Sequence, residues 1–382
     1  MQLHSKLEAE PKLAPGMFQF VQTDTELSDA RFESEPIGYF KDAFLRFTQN
    51  RASVLATFCI AFIVIFSLLG PTLNPYAFDR TNTERINMPP KIPYLEKLGI
   101  ADGSVTLYNR RVDNLSDQER YPQGSILKVL NERTVRGVQM ADVRVDYYKL
   151  VGAGENERYW FGTDYVGRDL WTRLWRGARV SLFIAFVSVI TNVVIGVIYG
   201  SIAGYYGGKV DMVMMRITEI IGALPRVVIM TIFIMFFGTG LFSIVMALVI
   251  QGWIGTAKMI RGQFYRFKGR EYVLAARTLG VSDAVLIFRH ILPNAIGPII
   301  TQSMIAIPGA IFSESFLAFL GLGLQAPEPS IGVLLSQGQK VLLHYPYQTF
   351  FPGVLISVLM ISFNVFANGL RDAFDPTLRG AQ

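Results

Sequence analysis

Long apolar runs alternate with polar segments along this chain, and the length of the runs predicts a membrane protein. Each run holds about 20 residues, which is enough for a helix to cross a hydrocarbon core of about 30 Å. We predict an all-α polytopic fold with six transmembrane helices, at Val54–Leu73, Val180–Ala203, Met212–Phe237, Leu241–Ile260, Ile296–Phe319 and Pro352–Leu370. Pro225 and Pro308 lie inside the third and fifth runs, where each can bend its helix.

The pattern divides the chain into four regions. They are a flexible cytoplasmic tail at 1–38, an interfacial helix with the first span at 39–75, an extracytoplasmic loop at 76–178, and a five-helix core at 179–382 with a cytoplasmic loop at 258–294. In the interfacial helix, Phe40, Phe44 and Phe47 are predicted to share one face. In the outer loop, alternation at 105–108 and 143–148 predicts short strands.

Composition and charge support a membrane protein. The chain of 382 residues is 51% hydrophobic and 17% charged, which is unlike an ordinary soluble domain. Its net charge of +6 comes mostly from lysines and arginines beside the apolar runs, so we interpret it as a signal of membrane orientation and not of nucleic-acid binding. The distribution of these residues predicts that both termini are cytoplasmic.

The sequence lacks the clustered chemistry of an enzyme. It has one cysteine, Cys59, and three scattered histidines, so neither a disulfide nor a metal site is predicted. Gly207-Gly208-Lys209 lacks the remaining residues of a phosphate-binding loop. We assign no catalytic residue, no metal ligand and no cofactor to this chain, and expect another subunit to supply energy.

The cytoplasmic loop carries the pattern of two short helices that meet at a glycine. Glu271–Leu279 predicts the first helix, with Ala275 and Ala276 offering a small-residue surface to a partner. Gly280 can adopt positive φ and end that helix. Ser282 is then expected to cap a second helix, which ends at Pro293.

The second helix is predicted to present an apolar stripe. Its members are Val285, Phe288, Ile291 and Leu292. An apolar stripe on a cytoplasmic helix needs a covering surface. The loop is therefore predicted to dock on a partner and to carry motion to the spans as a rigid body.

These residues resemble a known pattern. Ala275-Ala276, Gly280 and the segment 290–294 are similar to the ATPase-docking loop of ABC importer permeases. Five further segments resemble the dipeptide, oligopeptide and nickel permease family, in its C-type subunit: Trp160–Asp169, Gly177–Leu182, Gly204–Asp211, Phe319–Gly323 and Leu370–Pro376. Leu274 departs from the family, which has glutamate there, and 85–157 is expected to be an insertion.

The resemblance implies a type I importer fold in the bacterial inner membrane. It also implies a heterodimer with a sister permease, two cytoplasmic ATPases that bind ATP and Mg²⁺, and an external substrate-binding protein. Coupling to the ATPases is assigned to Glu271, Ala275, Ala276, Gly280, Phe288, Ile291 and Pro293. The cargo expected is a dipeptide or oligopeptide.

Within the spans, two sets of residues are candidates for packing and transport. Gly196, Gly200 and Gly204 recur every fourth residue and are expected to allow close helix approach. Asn192, Gln251, Gln302 and Asn364 are candidates for a polar translocation path. The glycine- and proline-rich segment 313–351 is expected to form an outer gate.

Three alternatives stay open. The chain could be a self-sufficient channel or an ion-coupled carrier, which would move solute without ATP. It could belong to an ABC importer for nickel or another small solute. A membrane-embedded enzyme is disfavoured, because no acid, base and nucleophile cluster together.

Overall fold

The structure, a computed structural model, describes residues 38–154 and 156–374. The tail predicted at 1–38 therefore lies outside the described residues, apart from Gly38. The chain divides into two compact units, Met1–Asp42 and Ala43–Gln382. The described part of the first unit is residues 38–42, which begin the first helix; the remaining helices and all strands belong to the second unit.

The described residues fold mainly into helices. The helices are α1 (Tyr39–Gln49), α2 (Arg51–Leu69), α3 (Tyr147–Leu150), α4 (Leu170–Tyr206), α5 (Gly208–Ala223), α6 (Arg226–Phe237), α7 (Leu241–Phe267), α8 (Glu271–Thr278), α9 (Asp283–Val285), α10 (Ile296–Phe319), α11 (Ile331–Lys340) and α12 (Tyr347–Phe374). The strands are β1 (Ser104–Arg111), β2 (Ile126–Val135) and β3 (Val138–Asp146). Five of the six predicted spans coincide with α2, α4, α7, α10 and α12, all long and apolar enough to cross a membrane.

The third predicted span is broken. Instead of one helix over Met212–Phe237, α5 and α6 meet at an angle of 80°. The break falls at Pro225, which has no backbone N–H and so cannot bond to the carbonyl of Ile221. The side-chain amide of Gln251, on α7, donates to that carbonyl at 2.6 Å and to the carbonyl of Leu224 at 3.0 Å. A side chain from a neighbouring helix thus satisfies the backbone at the break.

Helices α4 and α7 pack closely along the glycines of α4. A Cβ atom on Gly196 would lie 2.6 Å from Cβ of Thr256, and one on Gly204 would lie 2.6 Å from Cβ of Phe264. A Cβ on Gly200 would meet the carbonyl oxygen of Ala257. Larger residues at these positions would force the two helices apart.

The outer loop contains a three-stranded antiparallel sheet in the order β1-β3-β2. The first predicted strand lies within β1. The second predicted strand, at 143–148, is too long by two residues, because Tyr147 and Tyr148 belong to α3. Asp146 caps that helix by accepting from two backbone N–H groups. Strand β2 was not predicted, since charged residues interrupt its alternation. The alternate residues Ala141, Val143 and Val145 of the central strand β3 are fully buried on one face of the sheet, where they pack with Leu115 and Tyr121.

The phenylalanines of α1 differ in burial, although their spacing of four and three residues places them on one side of a regular helix, as predicted. Phe44 is exposed, whereas Phe47 is buried and packs edge-on against Phe366 of α12, with ring centroids 5.3 Å apart. Phe47 therefore anchors the end of α1 on the last span.

Candidate functional site: a cytoplasmic corner and an outer latch

Residues 271–295 form a helical corner, here called the coupling corner. Helix α8 ends at Thr278 with Leu279 as its C-cap, and Gly280 follows with a φ of +80°. The N–H of Gly280 donates to the carbonyl of Arg277 at 3.0 Å, and the N–H of Val281 donates to that of Ala276 at 3.2 Å. Positive φ is strained for residues with a Cβ, so the glycine sets this turn as predicted.

The second half of the coupling corner differs from the prediction. Ser282 occupies the capping position, but its side chain makes no capping hydrogen bond. Asp283 instead accepts from the hydroxyl of Tyr205 at 2.5 Å, which ties the corner to α4. The guanidinium of Arg277 lies 5.4 Å from the ring centroid of Tyr205 and strengthens the same attachment.

Pro293 does not end the helix, contrary to the prediction. A π-helical turn at Leu286–Ile291 and a 3-10 turn at Leu292–Ala295 join α9 to α10. The 3-10 turn places Pro293 at its start, where a missing N–H is tolerated. The chain from Asp283 to Phe319 is consequently one helical run of 37 residues.

One face of the coupling corner is buried against α4 and α7. Val273, Leu286 and Ile291 are each 0% exposed and pack with Ile260 and Phe264. Ala276 is also buried. This apolar contact fixes the corner to the ends of two spans.

The other face is exposed and largely apolar. Leu279 is 83% exposed, and Leu274, Val285 and Phe288 are exposed beside Ala275. The predicted stripe therefore splits: Val285 and Phe288 face outward, whereas Ile291 is in the core. The π-helical turn rotates Ile291 away from the position that a regular helix would give it. Glu271 and Pro293 are exposed as well.

A charged tether beside the corner was not predicted. The guanidinium of Arg261 on α7 makes two hydrogen bonds of 2.5 Å to the carboxylate of Asp211 on α5, and the hydroxyl of Tyr265 donates to the same carboxylate at 2.9 Å. Lys268 donates to the carbonyl of Gly204 at 2.9 Å. Asp211 belongs to the segment Gly204–Asp211, which resembles the permease family. That resemblance was the one feature of the sequence that could have marked this residue.

At the other end of α10 lies a buried polar cluster, here called the outer latch: Ser181, Glu314, Ser315, Ser330, Ile331 and Gly332. Glu314 is 0% exposed and accepts from the hydroxyl of Ser181 at 3.0 Å. The same hydroxyl accepts the first N–H of α11, that of Ile331, at 3.1 Å. One serine of α4 thus joins α10 to the start of α11.

Close backbone packing completes the outer latch. Gly332 of α11 has no room for a side chain, because a Cβ there would meet Cα of Ser315. A Cβ on Gly177 would lie 3.0 Å from the carbonyl carbon of Ser330. Ser330 caps α11 by accepting from the N–H of Val333 at 3.1 Å. The start of α11 is therefore held between α4 and α10 with little freedom.

A second charged cluster holds the outer loop against α4. Asp164 binds Arg168 at 2.8 Å and lies 3.6 Å from Arg173, all three being buried. Asp169, which caps α4 through Thr172, is also buried, and burial raises its pKa to about 6. Arg173 donates to the carbonyl of Phe78 at 3.1 Å and to that of Pro327 at 3.4 Å, which links the loop to the segment before α11.

The four candidate path residues have different surroundings. Gln251 serves the break between α5 and α6, and Asn192 packs against Gly252 of α7. Gln302 on α10 and Asn364 on α12 are exposed. Among the described residues, no group of three or more histidine, cysteine, aspartate or glutamate side chains could hold a metal ion.

Five long apolar helices and one bent pair define a multi-pass membrane protein, and comparison with known proteins defines its family. The family model described as "Binding-protein-dependent transport system inner membrane component" matches residues 196–380. The model described as "N-terminal TM domain of oligopeptide transport permease C" matches residues 38–90.

Curated relatives match nearly the whole chain. The oligopeptide transport system permease protein OppC of Bacillus subtilis is 34% identical over 349 residues, 91% of this chain and 93% of the relative. The dipeptide transport system permease protein DppC of the same species is 35% identical over 345 residues, 90% and 87% of the two chains. DppC of Lactococcus lactis is 34% identical over 364 residues, 94% and 96%.

The chain belongs to this family of inner-membrane permease subunits of binding-protein-dependent ABC importers. It is accordingly a transport subunit and not an enzyme, and ATP hydrolysis takes place in separate subunits. Among solved structures, an inward-facing MetNI methionine ABC transporter aligns with 53% of this chain and 96% of its own, at 18% identity and a TM-score of 0.45.

Proposed function

We propose that this chain is the C-type permease of an ATP-driven importer of dipeptides or oligopeptides, with the type I importer fold. The proposal that the cargo is a peptide rests on similarity to relatives named as peptide permeases, at 34–35% identity over at least 90% of the chain. On this proposal the chain pairs with a sister permease, both termini face the cytoplasm, and ATP and Mg²⁺ bind two partner ATPases.

The coupling corner supports a docking role. Its inner face is fixed to α4 and α7, while its outer face exposes Leu274, Leu279 and Phe288. An exposed apolar patch on a fixed element is the surface that a partner covers. Leu274, where the family has glutamate, extends this patch, so we assign the ATPase contact to apolar packing and not to an ion pair from that position.

The helical run from Asp283 to Phe319 supports transmission to the outer side. It joins the coupling corner to Glu314 without a break, over a length of about 46 Å at 1.5 Å per residue. We assign the outer gate to α11, which the outer latch ties to this run. Movement of the corner by the ATPases would then shift the latch and α11 together.

Reconstitution tests the proposal. The chain, its sister permease and the two ATPases would be placed in liposomes with the external binding protein and labelled peptides of two to six residues. ATP-dependent peptide uptake that needs every component is the expected result. Uptake of Ni²⁺ chelates but not of peptides, or solute movement by this chain alone, would contradict it.

A further inference from the structure

Arg226 is a cation near the middle of the membrane that belongs to neither the coupling corner nor the outer latch. It is the first residue of α6, directly after the break at Pro225. Gln251, which binds the carbonyls at the break, lies ten residues from Leu241, where α7 begins, and ten from Arg261 of the charged tether. At 1.5 Å per residue the break is about 15 Å from each of them, or half of a hydrocarbon core of about 30 Å.

The guanidinium of Arg226 has no partner in the described part of the chain. No ion pair, hydrogen bond or cation–π contact of this side chain is found there. Glu219, the nearest acid along the chain, is bound to Arg216 at 2.7 Å. An arginine at this depth is costly, and such residues nearly always face a water-filled cavity or a partner and not lipid. Because Arg226 is also exposed, we expect its partner to come from another molecule.

The helical spacing places Arg226 on the side of α6 that faces α7. Met230 and Ile234, four and eight residues further along α6, are buried and pack with Ile244 and Leu248 of α7. Residues four apart share one face of a helix, and their side chains lean toward its N-terminus, which in α6 is the break. The guanidinium therefore extends toward the break and not toward the lipid side of α6.

Backbone donors lie beside the guanidinium. The N–H groups of Val228 and Ile229 both donate to the carbonyl of Pro225, whereas those of Arg226 and Val227 have no acceptor among the described residues. The start of a helix carries partial positive charge, and in transporters with broken helices such N-termini point at anionic groups of the substrate. A guanidinium beside two N–H groups matches the two oxygens of a carboxylate.

We propose that Arg226 binds the C-terminal carboxylate of the peptide while the peptide crosses the membrane. This inference rests on the proposed function, which supplies a cargo that ends in a carboxylate. A lipid phosphate matches less well, because it lies outside the hydrocarbon core, about 15 Å from the break, and arginine side chains reach it only from near the ends of a span. Asn192, which packs against Gly252 next to Gln251, adds a neutral polar group at the same depth.

Uptake of peptides with and without a free carboxylate tests this assignment. The complete transporter in liposomes would receive binding protein saturated with a labelled tripeptide, or with the same tripeptide ending in an amide. We expect the unaltered transporter to take up the free acid at least about tenfold faster than the amide, as for hydrogen bonds to a charged group. Arg226→Gln should lose this preference, because it slows uptake of the free acid but not of the amide.

Two further variants separate recognition of the carboxylate from a structural role. Arg226→Lys keeps the charge but not the planar fork of donors, and should retain a preference for the free acid of about threefold. Arg216→Gln is the matched control, since it removes an exposed cation of α5 ten residues away, and it should leave the preference unchanged. ATPase activity without peptide and elution volume verify that each complex is assembled.

Three results would overturn the assignment, and they have different meanings. If the unaltered transporter moves neither peptide, the proposed cargo is wrong and the role of Arg226 fails with it. If peptides are transported but Arg226→Gln slows acid and amide equally and lowers ATPase activity without peptide, Arg226 pairs with an acid of the sister permease. If the unaltered transporter shows no preference, or Arg226→Gln keeps it in full, Arg226 does not bind the carboxylate.

Discussion

The two ends of the helical run from Asp283 to Phe319 are built in opposite ways. At one end, the coupling corner exposes apolar side chains such as Leu279 and Phe288. At the other end, the outer latch buries the carboxyl group of Glu314 completely. Covering an exposed apolar surface with a partner lowers the free energy of the complex. A buried carboxyl group, in contrast, is stable only while its hydrogen-bonding neighbours stay in place. One end is thus suited to docking and the other to holding a conformation.

The largest effect is expected from breaking the corner itself. Gly280→Pro cannot adopt the φ of +80° and removes the N–H that donates to Arg277. A misplaced proline costs roughly 3 kcal/mol or more, so we expect ATP-driven uptake to fall at least about tenfold and the ATPases to lose their attachment.

Gly280→Asn is the matched control for this variant. Asparagine keeps the N–H and tolerates positive φ, and a Cβ atom here would meet no other atom within 4 Å. Uptake should stay close to that of the unaltered protein. If Gly280→Pro transports normally, the corner does not set the docking geometry.

The next effect is expected from the outer latch. Glu314→Ala leaves a cavity and removes the acceptor of the Ser181 hydroxyl, and we expect a loss of about 2–3 kcal/mol in the free energy of unfolding. Glu314→Gln keeps the volume and a hydrogen-bonding group, and should lose less than half as much. Thermal unfolding of the purified complex measures both. Equal losses in the two variants would show that keeping the volume and an amide does not help, and that the carboxyl group itself is required at this position.

The spans could be predicted from sequence because apolar length is a one-dimensional signal. The break at Pro225 was predicted as a bend, but Gln251 as its partner was not, since 26 residues separate them along the chain. The turn at Gly280 could be predicted because a glycine adopts positive φ whatever residues surround it in the fold. The burial of Ile291 could not, because it depends on a π-helical turn that shifts the apolar stripe relative to a regular helix.

The ion pair between Asp211 and Arg261 is another contact that the sequence alone could not predict. Both residues were visible as charges near the ends of spans, but their pairing depends on how α5 and α7 pack. The continuity of the helix through Pro293 was also missed. A proline usually ends a helix, and only the succession of a π-helical and a 3-10 turn allows the chain to continue there.

A smaller effect is expected from the exposed face of the coupling corner. Phe288→Ala removes an exposed aromatic side chain without disturbing the buried face, and should weaken ATPase attachment by about 1–2 kcal/mol, or roughly tenfold in Kd. Titration of labelled ATPase onto the permease pair in nanodiscs measures this. Phe236→Ala, an exposed aromatic residue on α6, is the control. Similar losses in both variants would remove the distinction between the corner and other exposed apolar surface.

The smallest effect is expected at the break between α5 and α6, away from both the corner and the latch. Gln251→Leu removes the two hydrogen bonds to the carbonyls of Ile221 and Leu224, and should cost about 1 kcal/mol in unfolding free energy. Pro225→Ala restores an N–H that can bond to Ile221. Because the amide of Gln251 compensates for the missing N–H, Gln251→Leu should cost less in the Pro225→Ala background than alone. Strict additivity in this double-mutant cycle would mean that Gln251 does not compensate for the missing N–H of Pro225. Gln251 would then again be a candidate for the transport path.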